Sequence, residues 1–315
     1  MKKIFCIIGF FVFYSSFSQN LSSANKVQLK QMENSILPFA DSMIQARDWV
    51  DRFRWDSIFT RGIVKALKVP YSFEYSFDSI KTISKLYAPD SSFKIFTWQM
   101  MKDFSYYRQR GAIQMRTEDG SLKLFPLFDF SDFTKVPNDS IRDTKHWIGA
   151  IYYRIILKTV NAKKYYTLLG SDGNNERSNK KWIEILTFDA DGNPQFGAKC
   201  FSYPADDLTK PQQPVYRYCL EYKKDGGVRL NYDPKYDAII FDKLISENDQ
   251  PQNKASLIPY GSYEGFKWAN GHWTFISNPF NNVIFDEKQS TLPAPLFDDK
   301  GNTNPKKSSD KSKKN

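Results

Sequence analysis

The chain has 315 residues, a formal net charge of +10 and an aromatic content of 16%. Lys2 and Lys3 carry two of these charges and residues 299–315 carry a surplus of four, which leaves +4 on the rest. So small a charge on so long a stretch lacks the dense basic face of a nucleic-acid-binding protein, and we expect no nucleic acid as a partner.

Residues 1–19 are typical of a signal peptide. Two lysines precede a short apolar run from Ile4 to Tyr14, and small serines stand before Gln19. The apolar run is well short of the roughly 20 residues that a membrane-spanning helix needs. We therefore expect export to the periplasm, the outer envelope or the cell exterior, with no transmembrane helix after cleavage.

Residues 20–70 carry the pattern of a helical N-terminal element. A pair of serines can cap the first helix, and apolar residues recur near a 3.6-residue period over 49–67. Pro38 is expected to break the first helix or to open the next one. We predict two or three helices that pack on the sheet formed by the following residues.

Residues 71–298 have the pattern of an antiparallel β domain. Turn pairs such as Asp119-Gly120 and Asn270-Gly271 separate short runs that alternate or are continuously apolar. Besides the hairpin over 261–277, the runs are 93–98, 105–116, 122–128, 147–158, 164–170, 181–188, 215–222, 228–232 and 237–244. The predicted fold class is α+β, mainly β: N-terminal helices and then a large antiparallel β meander, arranged as a barrel, a sandwich or a propeller-like structure.

Residues 299–315 form a lysine-rich tail without apolar residues, and such a segment is expected to be disordered. Such a tail is most often a solvated end of the chain without a binding role. Contact with anionic polymers of the envelope is the alternative that its charge leaves open.

Four segments, together with the export signal, resemble a group of secreted proteins from Bacteroidetes bacteria. The segments are YAPDSSFKIFTW (87–98), YYTLLGSDGNN (165–175), WIEILTFDADGNPQFG (182–197) and YEGFKWANGHW (263–273). The resemblance implies a cell-envelope or extracellular setting, and it implies no activity.

Cys200 and Cys219 are the only cysteines left once a signal peptide that contains Cys6 is removed. In an oxidising compartment two such cysteines can form a disulfide, and the runs that hold them could be neighbouring strands. Two buried free thiols are the alternative, and spacing alone does not decide between the two.

Catalytic motifs based on histidine, cysteine or glycine-rich loops are absent from the sequence. Only His146 and His272 could serve a Ser-His-Asp arrangement, with a serine such as Ser262. A position in a turn or at the end of a strand is expected for each of them. We therefore expect no cofactor and no metal site.

A carboxylate remains as the candidate for an enzymatic role. Glu184 lies between two isoleucines of an apolar run, so its charge is expected to be buried, and burial raises a carboxyl pKa toward that of a general acid. A glycosidase needs a second carboxylate. An internal ion pair, for instance with Arg154, is the alternative role for Glu184.

The polar loop 170–180 follows an apolar strand and is the predicted ligand-binding edge. The residues proposed to bind there are Asp172, Asn174, Asn175 and Arg177, with Trp182 as a stacking neighbour. The sequence therefore predicts an exported, non-catalytic binding or interaction protein whose partner is an envelope component or a glycan. A carbohydrate-active hydrolase with a carboxylate pair is the alternative.

Overall fold

A computed structural model describes residues 21–205, 210–211 and 213–280 of the chain. The predicted signal peptide (1–19) and lysine-rich tail (299–315) lie outside these residues. Two α-helices come first, α1 (Ser23–Gln45) and α2 (Trp49–Leu67), and strands make up most of the rest. The predicted fold class, mainly β with N-terminal helices, is confirmed.

The described strands form three open sheets. The first sheet has the order β1-β2-β3-β4, with β1 (Ser84–Tyr87), β2 (Phe93–Asp103), β3 (Tyr106–Met115) and β4 (Lys123–Phe128). The central sheet has the order β10-β7-β6-β5, with β5 (Ile151–Val160), β6 (Lys163–Asp172), β7 (Ser178–Phe188) and β10 (Arg217–Lys223), and β8 (Pro194–Phe196) pairs with β7. The third sheet has the order β11-β12-β13-β14-β9, with β9 (Phe201–Ser202), β11 (Leu230–Asp233), β12 (Ala238–Ser246), β13 (Leu257–Ala269) and β14 (His272–Ile276).

All nine predicted runs contain a strand, with bounds that differ by a few residues. Neighbouring strands pair antiparallel as predicted, apart from the parallel contact between β9 and β14. No sheet of the described residues closes on itself, so the barrel alternative is wrong. The three sheets are stacked on one another, as in a sandwich with an additional layer.

Helix α1 begins at a polar cap and passes through a proline. The Ser22 side chain accepts a hydrogen bond of 3.1 Å from the Asn25 N–H, which satisfies one of the free N–H groups at the start of the helix. The prediction that Pro38 would break the helix is wrong, because α1 continues through it. Ile36 and Ala40 on either side of Pro38 are buried, so packing of this face offsets the lost hydrogen bond.

The two helices pack on each other and on the outer face of the first sheet. Gly62 of α2 allows a close approach to α1, because a Cβ atom there would lie 2.5 Å from Ile36 Cγ2. The core beneath the helices includes Leu29, Met43, Phe59, Ile63, Leu67, Phe96, Trp98 and Met100. Within residues 21–205, 210–211 and 213–280, no helix is long and apolar enough to cross a membrane.

The central sheet is buried on both faces, which explains the nearly continuous apolar sequence of β7. Trp182 and Leu186 face the core shared with the first sheet. Ile183 and Ile185 alternate with them and face the core shared with the third sheet. A strand covered on both sides lacks the polar alternation of a solvent-facing strand.

The hairpin of β13 and β14 confirms the sharpest local prediction from the sequence. Asn270 and Gly271 connect the strands with positive φ angles of 50° and 80°, which is the geometry of a tight two-residue turn. Opposite each other in the register are Trp268 and Trp273, whose ring centroids are 5.2 Å apart. Such cross-strand aromatic pairs stabilise antiparallel sheets.

Candidate functional site

The Glu184 carboxylate lies inside the core between the first and central sheets and is 1% exposed. Its Oε1 accepts a hydrogen bond of 2.8 Å from Arg217 Nε, and its Oε2 accepts one of 2.5 Å from the Tyr152 hydroxyl. Burial and the neighbouring Glu184 charge raise the pKa of Tyr152 well above its ordinary value. Both oxygens of the carboxylate therefore have a protein partner.

Arg217 is fully buried, and its remaining donors bond to backbone carbonyls. Its terminal nitrogens donate to Pro137 O, to Ser140 O at 3.1 Å and to Phe196 O at 3.0 Å. Gly197 makes room for this side chain, since a Cβ atom there would lie 2.7 Å from Arg217 Nη2. The guanidinium thus ties the loop before β5 to the central sheet.

The structure places Glu184 in an internal ion pair and in no contact with Arg154. Arg217 is the cross-strand partner of Glu184 in the register of β10 and β7. Arg154 lies against Tyr232 instead, with its guanidinium 5.5 Å from the ring centroid. A carboxylate with both oxygens bonded in this way is positioned as a structural anion.

The Asp172 carboxylate at the end of β6 is 7% exposed, so it does not lie at the surface of the predicted binding loop. Its Oδ1 accepts hydrogen bonds of 2.8 Å from the Asn174 N–H and 2.5 Å from Gln109 Nε2. Burial raises the pKa of Asp172 to about 6, because these bonds and the charge of Lys180 only partly offset the loss of water.

The polar side chains of the loop form a network with one another. The Asn174 side-chain amide donates to Ser178 Oγ at 2.7 Å and to Glu221 Oε1 at 3.1 Å, and its Oδ1 accepts from Lys180 Nζ at 2.8 Å. Asn175 Oδ1 accepts from the Arg177 N–H at 2.8 Å. Among the predicted binding residues, Arg177 is exposed, Asn174 and Asn175 are half-buried, and Asp172 and Trp182 are buried. The binding role of this loop stays a prediction.

Trp182, the predicted stacking residue, is 3% exposed and presents no ring face to solvent. Its indole Nε1–H is buried and has no hydrogen-bond acceptor among the residues that the structure describes. A buried donor without a partner costs free energy, so it is a position where a ligand acceptor or a water molecule is expected.

A cleft of about 800 Å³ runs along β10, the edge strand of the central sheet, and we call it the lysine cleft. Sequence analysis did not find it, because its walls come from distant parts of the chain. The loop before β5, β7, β10, β12 and β13 all contribute to it. Its lining includes Lys135, Lys180, Trp182, Cys219, Glu221, Lys243, Lys254 and Glu264.

The charges of the lysine cleft are unbalanced. Five lysines, the four named above and Lys210, line the cleft with two glutamates, and Glu221 is already bonded to Asn174 and to Ser178 Oγ at 2.6 Å. Within the described part of the chain, no ion pair is formed by Lys135, Lys180, Lys243 or Lys254. Amines grouped in this way create a positive potential that attracts anions.

The two cysteines are free thiols, so the disulfide that the sequence left open is not formed. Cys219 packs against the core between the first and central sheets, whereas Cys200 lies in the core between the central and third sheets. The central sheet therefore separates them. Burial raises the pKa of the Cys200 thiol to about 11, which keeps it protonated and unreactive near neutral pH.

Each histidine lies in a turn or at the end of a strand, as predicted: His146 is in a bend and His272 is at the start of a strand. The ring Nδ1 of His146 is 2.7 Å from Asp143 Oδ1, and the ring packs against Phe130. A shallow hollow of about 330 Å³ beside this pair is lined by Ile141, Arg142, Asp143, His146 and Gln195. His272 begins β14, and its Nδ1 lies 3.0 Å from Asn270 O.

The chain matches no protein-family model, no curated protein and no solved structure. The resemblance to secreted Bacteroidetes proteins therefore stays a prediction. Among the residues placed in the structure, no group of three or more histidine, cysteine, aspartate or glutamate side chains is arranged to hold a metal ion.

Proposed function

We propose that the protein is an exported, non-catalytic binding protein of the cell envelope or exterior that holds an anionic ligand in the lysine cleft. The observation that carries this proposal is one cleft lined by Lys135, Lys180, Lys243 and Lys254, which form no ion pair among the described residues, and by Trp182, whose buried indole N–H has no acceptor among them. The predicted export and the resemblance to secreted proteins support the location.

The chemistry of the cleft favours a ligand with several carboxylate or phosphate groups on a polar body, such as an acidic glycan. Lysine amines bind such groups as mobile point charges and require no single geometry, which suits a polymer with repeating charges. The indole N–H supplies one directional donor among these charges. Tyr218 and Leu220 provide an apolar part of the wall against which a sugar ring can pack.

The predicted loop 170–180 contributes to this site through hydrogen bonds to two residues that line the cleft. Asn174 accepts a hydrogen bond from Lys180 and donates one to Glu221, so it fixes a cation and an anion of the cleft. In this proposal Asn174 is a positioning residue, and the ligand contacts lie on Lys180 and Trp182. The proposed ligand contacts thus lie on side chains of β7 that line the cleft, and Asp172, Asn174 and Asn175 are not among them.

The test measures binding of polygalacturonate, an acidic polysaccharide, to the folded protein by titration calorimetry, with neutral dextran as the comparison. We expect Lys243→Gln/Lys254→Gln to weaken binding by about five- to tenfold, since each exposed charge contact contributes up to about 1 kcal/mol. The control Lys65→Gln/Lys145→Gln removes the same charge from lysines outside the cleft and should leave the affinity within about twofold. Both control lysines are exposed.

The Trp182→Phe variant distinguishes binding in the cleft from nonspecific electrostatic attraction of the ligand to the protein. This variant keeps the net charge and removes the indole N–H, and it should weaken binding without altering its salt dependence. Equal losses in the two lysine pairs, or binding of dextran as strong as that of polygalacturonate, would contradict the proposal.

A further inference from the structure

An apolar pocket of about 230 Å³ lies between α2 and the outer face of the first sheet, away from the lysine cleft. It is lined by side chains of α2, β2, β3 and β4, including Ile63, Val64, Leu67, Trp98, Leu124 and Leu127. Apolar cavities of roughly 150 Å³ in other proteins stay free of water and bind molecules of the size of benzene. The pocket therefore has room for one ring or a short hydrocarbon chain.

Two polar groups of the pocket wall lack partners. Thr60 Oγ1 is buried and has no hydrogen-bond partner among the residues that the structure describes. Arg110 Nε forms an ion pair with Asp56, 2.6 Å from Oδ2, but neither of these two atoms has a hydrogen-bond partner of good geometry among the residues that the structure describes. The pocket thus combines an apolar body with a donor at one place in its wall.

The Arg110 side chain is held in place by its ion pair with Asp56. Asp56 is fully buried and also accepts a hydrogen bond of 2.8 Å from Trp98 Nε1. Burial raises the pKa of Asp56, while Trp98 and the charges of Arg110 and Arg108 lower it. Arg110 is thereby fixed at the pocket wall by Asp56, whereas Arg108 is exposed and is not part of the lining.

We propose that this pocket binds a small hydrophobic monocarboxylate, such as an arylalkanoate or a short fatty acid. The hydrocarbon part packs against Ile63, Leu67 and Leu124. The carboxylate accepts hydrogen bonds from the terminal N–H groups of Arg110 and from the Thr60 hydroxyl. A guanidinium has five N–H donors in a planar fork, so it can bond to Asp56 on one side and to the ligand on another.

This site is independent of the proposed function. It lies between α2 and the first sheet, whereas the lysine cleft follows the edge of the central sheet. It also favours a different ligand, because an apolar pocket of this size excludes a polysaccharide. Loss of binding at one site can therefore be measured while the other site remains intact.

The experiment uses 3-phenylpropanoate as the probe and 3-phenylpropanamide as its neutral isostere, titrated into the full protein by calorimetry. The carboxylate should bind at one site and change the tryptophan fluorescence of the protein, and the amide should bind at least about tenfold more weakly. Val64→Phe fills the pocket and should abolish binding. Val50→Phe, the same substitution at an exposed position of α2, should retain the wild-type affinity.

NMR on the wild-type protein gives a second measurement that does not depend on any variant. Ring protons of the bound probe should show nuclear Overhauser contacts to methyl groups of Ile63, Leu67 and Leu124. Absence of saturable binding, equal affinity for acid and amide, contacts to methyl groups elsewhere, or equal losses in Val64→Phe and Val50→Phe would each overturn the proposal.

Discussion

At the scale of the residue, burial of Asp172 raises the free energy of its charged form in the folded protein. The carboxylate is nearly buried between Gln109 and the backbone of the loop, and its pKa rises to about 6. When folding raises the pKa of a carboxyl group, protonation favours the folded state. The resulting stabilisation is complete at pH values below the pKa of the unfolded chain, which is about 3.8 for this aspartate. That stabilisation is lost as the pH rises through about 6.

Asp172→Asn should therefore stabilise the protein at pH 7. Asparagine keeps an oxygen that accepts from Asn174 and Gln109 but carries no charge to desolvate. Each pKa unit corresponds to about 1.4 kcal/mol, so the free energy of unfolding should rise by up to about 3 kcal/mol. Urea unfolding at several pH values measures this, and the difference between variant and wild type should shrink from pH 7 to pH 4.

Asp191→Asn is the matched control at an exposed turn, and it should change the free energy of unfolding by less than about 0.5 kcal/mol. Destabilisation of Asp172→Asn at pH 7, or a difference from wild type that does not vary between pH 4 and pH 7, would show that the Asp172 charge is satisfied in the folded state.

At the scale of the element, the β13–β14 hairpin depends on backbone geometry at its turn. Gly271 has a φ angle of 80°, and an added Cβ atom would only touch Val160 at 3.7 Å. The surroundings of Gly271 therefore have room for a methyl group, whereas its positive φ angle is unfavourable for any residue with a Cβ atom. Gly271→Ala should lower the free energy of unfolding by about 1–2 kcal/mol, the cost of a left-handed residue. Thermal unfolding followed by circular dichroism is the measurement.

Gly227→Ala provides the comparison within the same protein. A Cβ atom at Gly227 meets nothing within 4 Å, and its φ angle is not in the left-handed region. The substitution should be neutral or slightly stabilising, because alanine restricts the unfolded chain more than glycine. If both glycine variants lose equal stability, the effect at Gly271 does not come from the turn.

The elements were predictable because their signals are local. Turn residues and alternation located all nine runs, and the paired aromatic residues around Asn270 located the last hairpin. The ion pair of Glu184 depends instead on the pairing of β7 with β10, two strands that are not consecutive in the chain. Because Arg154 and Arg217 both stand in strand-like runs, only the register distinguishes them. The sequence predicts the burial of Glu184 and not its partner.

The candidate sites were harder to predict for the same reason. Lys135 and Lys254 are distant in sequence and line the same cleft only because the central and third sheets stack beside the loop before β5. The sequence placed Asp172 and Asn174 together in one polar loop, whereas Asp172 is the last residue of β6 and only Asn174 lies in the connection to β7. The hydrogen bonds that occupy them come from Gln109 and Glu221 on other strands, and no local pattern shows these contacts.

At the scale of the whole molecule, buried hydrogen bonds connect the stacked layers in addition to the apolar cores. Trp98 Nε1 of the first sheet donates to Asp56 of α2. The Tyr152 N–H of the central sheet donates to Thr97 Oγ1 of the first sheet at 3.0 Å. Trp273 Nε1 of the third sheet donates to Thr167 Oγ1 of the central sheet at 2.9 Å. Each layer is thus held to the next by a polar contact that fixes its position.

The contact between the central and third sheets can be tested by removing its acceptor. Thr167→Val keeps the shape of the side chain and leaves the buried Trp273 N–H without a partner, so the free energy of unfolding should fall by about 1–3 kcal/mol. Thr167→Ser keeps the hydroxyl and loses only a methyl group, for a cost of about 1 kcal/mol. Since the sheets share a core, tryptophan fluorescence and circular dichroism should report one common unfolding transition in urea. A smaller loss in Thr167→Val than in Thr167→Ser would mean that apolar packing alone sets the position of the third sheet.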